Sequence, residues 1–317
     1  VIAFCLAPGL REMFLPPPLF ARLERLAPIG PLERAQVLVT GWDTPRVDAE
    51  TLARAPELRL VAHTGAAVGF LVSDALWERG IRVTQTGAAM APAVGEVALT
   101  FTMCLLHQVH RFDHSLRSGT GWAETRAAAR PRRELRGSVV GVVGASRTGR
   151  AYAGLVRALG AELLLADPTV SADDAAGLGA TLVELDDLLR RSDVVALHAP
   201  AIPATRHLIG RRELALMPDG AALVNTARSW LVDSAALLDE LRSGRIDAAL
   251  DVFDEEPLPA DSPLRRLPNV LLTPHQAAGT EEARHRMGTL TVGEIARFLA
   301  GEPLQHEITR EQLRWTA

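Results

Sequence analysis

Short apolar runs alternate with amphipathic stretches along almost the whole chain. The runs Val1–Leu6, Val37–Thr40, Leu58–His63 and Ile81–Thr84 have strand length and are rich in Val, Ile and Leu. Between them, Leu19–Leu26, Ala49–Arg54 and Val72–Arg79 space their apolar residues as helices do, and Gly80 stands where a helix-stop glycine belongs. A second series of runs comprises Val139–Gly144, Glu162–Ala166, Asp193–Leu197, Ala221–Asn225, Ile246–Val252 and Asn269–Leu272. A long apolar helix pattern, Val94–Arg111, and an arginine-rich stretch, Ser118–Gly137, separate the two series. Strands covered on both faces read as unbroken apolar runs, so the pattern predicts an α/β protein with parallel sheets. Six strands with intervening helices suffice for a dinucleotide-binding sheet. The helical stretch from Glu281 to Leu299 has no place in that sheet and is expected to cross back to the first domain. Two doubly wound domains are therefore expected, residues 1–93 with 287–317 and residues 94–286.

Composition narrows the function. A chain of 317 residues suits two medium domains, and a net charge of -4 gives no reason to expect nucleic acid or an anionic membrane as partner. The segment Arg126–Glu134 is basic but lacks interleaved aromatics, and reads as a solvated surface arm. Every basic residue except histidine is an arginine, which excludes a pyridoxal phosphate Schiff base and a P-loop lysine. Cys5 and Cys104 are too few for a disulfide framework or a zinc site; both are expected to be buried thiols in a reducing compartment. No uninterrupted apolar run reaches the roughly 20 residues of a membrane span, and Pro8 and Gly9 break the opening run before it resembles a signal peptide. A soluble, cytoplasmic protein without a metal is the expectation.

Gly144-Ala145-Ser146-Arg147-Thr148-Gly149 follows a strand pattern and opens a helix pattern. Gly144 permits the tight turn, Gly149 lets helix and sheet approach, and the amides at the helix start face a pyrophosphate. Ser146 stands where the middle glycine of G-x-G-x-x-G would be; its hydroxyl could bond a phosphate oxygen. Asp167 ends the next strand, where a carboxylate accepts both ribose hydroxyls and repels a 2′-phosphate, favouring NAD over NADP. Alone, such a turn is weak evidence, and Asp167 before Pro168 could simply start a turn.

Ligands of open α/β sheets bind beyond the carboxyl ends of the strands. Arg228, Glu256 and His275 each lie just past such an end. Singly, they read as a surface charge, a turn residue before Pro257 and a loop histidine. Together they supply a guanidinium for a carboxylate, an acid/base and a carboxylate beside it, the set needed to oxidise a 2-hydroxy acid with a dinucleotide.

In this order, Gly65-Ala66-Ala67-Val68, Val94-Gly95-Glu96, the glycine turn with Asp167, Leu197-His198-Ala199-Pro200, Asn225-Thr226-Ala227-Arg228, Leu250-Asp251-Val252-Phe253 with Glu256-Pro257, and Thr273-Pro274-His275 resemble the D-isomer-specific 2-hydroxyacid dehydrogenase family over nearly the whole length. The resemblance implies a Rossmann-type NAD domain and a flavodoxin-like substrate domain, with the active site in the cleft between them. It implies that Arg228 binds the substrate carboxylate and 2-oxo oxygen, that His275 moves the hydroxyl proton and that Glu256 pairs with His275. Gly65, Ala66 and Ala67 would complete the carboxylate pocket through their amides. Gly144, Ser146, Arg147, Thr148, Gly149 and Asp167 would hold NAD, His198, Ala199, Pro200, Thr226 and Ala227 would line its cleft, and Asp251 would meet the nicotinamide carboxamide. It further implies a homodimer formed through the NAD domain, by the helix after Glu96 and the arm near Trp122. Ser229-Trp230 departs from the small residues usual after the arginine, so Trp230 could reshape the pocket. Glu256 argues against formate as substrate, because formate dehydrogenases of this fold carry glutamine there. An NAD(H)-sensing protein related to corepressors of the same fold is the alternative.

Overall fold

A computed structural model describes residues 1–7 and 9–314. Pro8, invoked above as a break in the opening run, and residues 315–317, at the end of the expected first domain, lie outside the described residues. The strands are β1 (Ile2–Cys5), β2 (Val37–Thr40), β3 (Leu60–His63), β4 (Arg82–Thr84), β5 (Val139–Val143), β6 (Glu162–Ala166), β7 (Thr181–Leu182), β8 (Val194–Leu197), β9 (Ala222–Asn225), β10 (Asp247–Leu250), β11 (Val270–Leu272) and β12 (Glu307–Ile308).

The chain divides into two units, Val1–Ala91 with Ala278–Ala317, and Pro92–Ala277. The crossings lie at 91/92 and 277/278 instead of 93/94 and 286/287. The second differs more because the helix Glu281–Leu299 packs as a whole on the first unit: its Met287, Val292 and Ile295 join Phe14, Val37, Val39 and Leu60 in one core.

In the first unit the sheet order is β1-β2-β3-β4-β12, parallel except for β12, which runs antiparallel to β4. A parallel bridge from Ile2 to Ile29 adds the trace of a further strand outside β1. Counting that bridge as second in the chain, the parallel part reads 2-1-3-4-5, the flavodoxin-like order. Alternate residues of each strand enter opposite cores, as strand geometry requires. Ala3, Leu38, Val61 and Val83 face one side, and Ile2, Val37, Val39, Leu60 and Ala62 face the other.

The second unit holds seven parallel strands in the order β11-β10-β9-β8-β5-β6-β7. From β7 to β10 this is the dinucleotide-binding order 3-2-1-4-5-6, extended by β11. Six strands are expected from the pattern and seven are present: β7 is a two-residue edge strand whose Thr181 is exposed, so no apolar run announces it. Val140, Val142, Val194, Ala196 and Val224 face one core; Val143, Val195, Leu197 and Leu223 face the other. Side-chain caps start several helices. Ser171 accepts from the amide of Asp174 and Asp233 from those of Ala235 and Ala236.

The helix expected over Val94–Arg111 is two helices. Gly87–Leu106 starts earlier, and Val109–Arg117 follows a break at Gln108, whose φ is 56°. Gly87–Leu106 is 20 residues long with a mean hydropathy of 1.6, apolar enough to cross a membrane by length and composition. It is not an uninterrupted apolar run, because Glu96, Thr100 and Thr102 fall within it. Its Ala98, Phe101, Leu105 and Leu106 instead pack with Val140, Val142 and Tyr152 as a core helix. Cys5 and Cys104 are partly rather than fully buried; burial is the main cause pushing both thiols above their ordinary pKa.

Candidate functional site

The glycine turn sits where β5 meets the helix Arg147–Ala158. Gly144 has φ 96°, and a Cβ there would lie 2.6 Å from the amide nitrogen of Ala199; at Gly149 it would lie 2.2 Å from the carbonyl oxygen of Gly144. Neither position tolerates a side chain, so the β5 turn and the β8 segment His198–Pro200 are pressed together. Ser146 is the N-cap of the helix. Its hydroxyl accepts from the amide of Gly149 at 3.3 Å and lies 3.1 Å from Thr148 Oγ1, so the departure from glycine supplies a cap. Asp167, past β6, accepts from the Ala145 amide at 2.8 Å through Oδ2, and from the amide and hydroxyl of Thr169 through Oδ1. The carboxylate is thereby fixed beside the turn.

Two buried polar atoms at the ends of neighbouring strands, His198 Nε2 and Thr226 Oγ1, have no hydrogen-bond partner among the described residues. Orphans of this kind cost roughly 1–3 kcal/mol each until a partner arrives. With the side-chain-free turn and the fixed carboxylate, they fit a dinucleotide laid across the ends of β5, β6, β8 and β9. Burial pushes the His198 imidazole down to about 3, so this ring faces the site neutral at physiological pH. It stacks at 5.2 Å on Tyr152, and its Nδ1 lies 3.1 Å from Thr148 Oγ1.

Beyond β9, the side chain of Asn225 closes the next turn: Oδ1 accepts from the Ala227 amide at 3.0 Å and Nδ2 donates to the Arg228 carbonyl at 2.9 Å. Arg228 donates from Nη1 to the Ala227 carbonyl at 2.7 Å. Burial lowers its guanidinium below the ordinary value, and the charge of Glu256 opposes that shift. His275 Nδ1 lies 2.7 Å from Glu256 Oε2, and Glu256 Oε1 accepts from the Phe253 amide at 2.9 Å. The ring is 47% exposed, and the residue has φ 53°. An open cavity of about 560 Å³ is lined by His275, Glu256, Phe253, Pro274 and neighbouring residues. Glu256 is therefore common to both groups, in contact with His275 and within electrostatic reach of Arg228.

Asp251, expected at the nicotinamide carboxamide, also makes contacts that sequence reasoning did not foresee. It is fully buried past β10, and Oδ1 accepts from the Thr273 hydroxyl at 2.5 Å and the Gln276 amide at 2.9 Å, while Oδ2 accepts from the Ala277 amide at 2.9 Å. One carboxylate thus clamps the loop that presents His275 on both sides of the histidine. An aspartate ending a buried strand needs donors, although the sequence does not say which loop supplies them. Trp230 has partners of its own beside Arg228. Its Nε1 donates to the Ile202 carbonyl at 2.9 Å and Arg206 lies over its ring, so it pins the segment after Pro200. Gly65, Ala66 and Ala67 lie in the first unit, just beyond β3. Among the described residues, no group of three or more His, Cys, Asp or Glu side chains is placed to hold a metal ion.

Residues 99–277 match the family model described as D-isomer specific 2-hydroxyacid dehydrogenase, NAD binding domain. The D-3-phosphoglycerate dehydrogenase of Mycobacterium tuberculosis is 41% identical over 257 residues, 81% of this chain and 48% of that protein. This chain spans about half the length of the curated relatives it matches first. The glyoxylate reductase of Aeropyrum pernix is 36% identical over 276 residues, covering 86% of this chain and 82% of that one. The crystal structure of the apo form of Rhodotorula graminis D-mandelate dehydrogenase superposes with a TM-score of 0.85 at 26% identity, over 98% of this chain and 97% of that one. With this match, this architecture and these strand-end residues, the chain belongs to the D-isomer-specific 2-hydroxyacid dehydrogenase family, with NAD as its cofactor.

Proposed function

We propose that the protein is an NAD-dependent D-2-hydroxyacid dehydrogenase, interconverting a D-2-hydroxy acid and its 2-oxo acid. The observation that carries this reading is the 2.7 Å pair of His275 and Glu256 on a loop clamped by Asp251. Glu256 takes Nδ1 of the ring, leaving Nε2 as the atom that delivers or removes the proton of the C2 oxygen. Arg228 is the fork for the substrate carboxylate; one of its N–H groups is tied to Ala227, and the others make no hydrogen bond among the described residues. The amides of Gly65, Ala66 and Ala67 add donors for the same carboxylate. NAD, when bound, supplies the two-electron chemistry at C2. Gly144, Ser146, Arg147, Thr148 and Gly149 receive its phosphates, Asp167 its adenosine ribose, and His198, Ala199, Pro200, Thr226 and Ala227 its flanks. Asp251 has one lone-pair direction left for the nicotinamide carboxamide. The unit Pro92–Ala277 is then the NAD domain and the other unit the substrate domain.

A homodimer through the NAD domain agrees with the exposed apolar side chains of Val109, Leu116 and Trp122, the last 71% exposed. The free thiols suit the cytoplasm. The test is NADH oxidation by the purified protein with glyoxylate, hydroxypyruvate, pyruvate and bulkier 2-oxo acids, repeated with Arg228→Ala and His275→Ala. Turnover that both substitutions abolish supports the reading. Tight NADH binding without turnover of any 2-oxo acid defeats it.

A further inference from the structure

Two loops of the unit Pro92–Ala277 leave neighbouring strand ends and meet at Trp230. One runs from His198 beyond β8 and the other from Thr226 beyond β9, and the two strands are paired side by side. Farther along, their backbones join. The His207 amide donates to the Trp230 carbonyl at 2.9 Å, the Ile209 amide to the Leu231 carbonyl at 2.9 Å and the Asp233 amide to the Ile209 carbonyl at 3.0 Å. Nearer β8, the segment Pro200–Thr205 is held by bonds of its own. Thr205 Oγ1 donates to the Pro200 carbonyl at 2.6 Å and accepts from the Ile202 amide at 3.0 Å, and the Thr205 amide donates to the Ile202 carbonyl at 3.0 Å. Such local bonds fix the shape of the segment but not its place above the sheet.

The Trp230 side chain supplies that place. Its Nε1 donates to the Ile202 carbonyl at 2.9 Å, and the Arg206 guanidinium lies over the ring, 5.1 Å from its centroid. An indole bonded at its edge and covered on one face keeps one orientation although it is 39% exposed. Its own backbone is anchored from both sides: Leu231 is fully buried in the core, and Asn225 Nδ2 holds the Arg228 carbonyl. The indole thus carries the position of a rigid turn across to the chain that follows His198–Pro200. A small residue at position 230 has no atoms for either contact, so this brace is the product of the departure at Ser229-Trp230.

We propose that Trp230 is a positioning residue for the cofactor: it holds the chain after His198–Pro200 where that segment flanks NAD, and so slows the release of NADH. The proposal rests on the placement of NAD along His198–Pro200 given above and adds a residue that acts through Ile202. A loop already in its bound position loses less freedom when the cofactor arrives, and the gain shows mainly in the dissociation rate. The rival role for the same side chain, a wall of the substrate pocket, would act on the 2-oxo acid instead.

The test is NADH dissociation by stopped flow in the unaltered protein, Trp230→Ala and Trp230→Phe, with nicotinamide emission excited directly so that loss of a tryptophan does not alter the signal. The Kd for NADH is expected to rise about tenfold in Trp230→Ala, through faster dissociation, and about threefold in Trp230→Phe, which keeps a ring beneath Arg206 but has no donor for Ile202. In both variants the rise in Kd should exceed any rise in KM for glyoxylate. Partial unfolding lowers the number of binding sites and not the dissociation rate of those that remain, so it cannot imitate this result. If Trp230→Ala does not fold, Trp230→Phe decides. A dissociation rate unmoved in Trp230→Phe, or a change confined to KM for glyoxylate, overturns the proposal while the dehydrogenase reading stands. No binding of NADH by the unaltered protein overturns both.

Discussion

His63 and His275 stand at equivalent places in two different sheets, each just at or beyond the carboxyl end of a parallel strand. Their surroundings make them opposites. His275 is half-exposed, has a left-handed backbone, is paired to Glu256 and is presented by a loop that Asp251 clamps. His63 is buried, bonded to a hydroxyl instead of a carboxylate, and held uncharged. A carboxylate at Nδ1 and access to water suit a ring for moving protons, whereas burial against Phe70 and Thr40 keeps a ring neutral and out of proton exchange. Topology supplies the position, and the neighbouring side chains decide the chemistry.

The sharpest way to break this comparison is to remove the ring proposed to move protons. His275→Asn should lower kcat/KM by about 10²–10⁴-fold, the span of general acid–base catalysis, with NADH affinity retained in a fluorescence titration. The buried ring should show itself through stability. His63 in the folded protein has its pKa pushed from 6.5 to about 4, so the unfolded chain binds the extra proton between those values. The stability it contributes is complete above about pH 6.5 and is lost as pH falls toward 4, by on the order of 3 kcal/mol. His198, pushed down to about 3, extends the same loss to lower pH. Urea unfolding at successive pH values should show this slope, and His63→Phe should flatten its upper part; an unchanged slope would mean the ring is not held neutral.

A smaller effect separates the two duties of Asp251. Asp251→Asn keeps the shape but weakens the clamp, and should lower kcat about 10-fold or more while changing the Kd for NADH little. A loss confined to NADH affinity would assign the residue to the cofactor alone. Smallest is Asp167→Ala, expected to shift the ratio of kcat/KM with NADH to that with NADPH by about tenfold toward NADPH. An unmoved ratio would remove Asp167 from the ribose site.

Much of this was legible in the sequence, and the residues say why. Val37–Thr40, Ala49–Arg54, Glu162–Ala166 and Glu281–Leu299 have the bounds their patterns imply, since buried parallel strands and amphipathic helices carry strong periodicity. The break at Gln108 was invisible, because glutamine carries no signal for a left-handed backbone and Val109–Arg111 continues the helical spacing. β12 and β7 are two residues each, too short for any period to register. At the site, the residue types of Arg228, Glu256 and His275 were readable, but the partners of Asp251 and Trp230 were not. Those contacts join segments far apart in the chain, and no local pattern encodes which carbonyl an indole will find.

The hydrogen bond from the Ala145 amide to Asp167 bears on attempts to retool this protein for the phosphorylated dinucleotide. The same carboxylate that would have to go also braces the turn that follows β5. Swapping it for a positively charged group would relieve the repulsion and at once strand a main-chain donor. A successful redesign therefore has to restore an uncharged acceptor at position 167 and bring its new cation from a neighbouring residue.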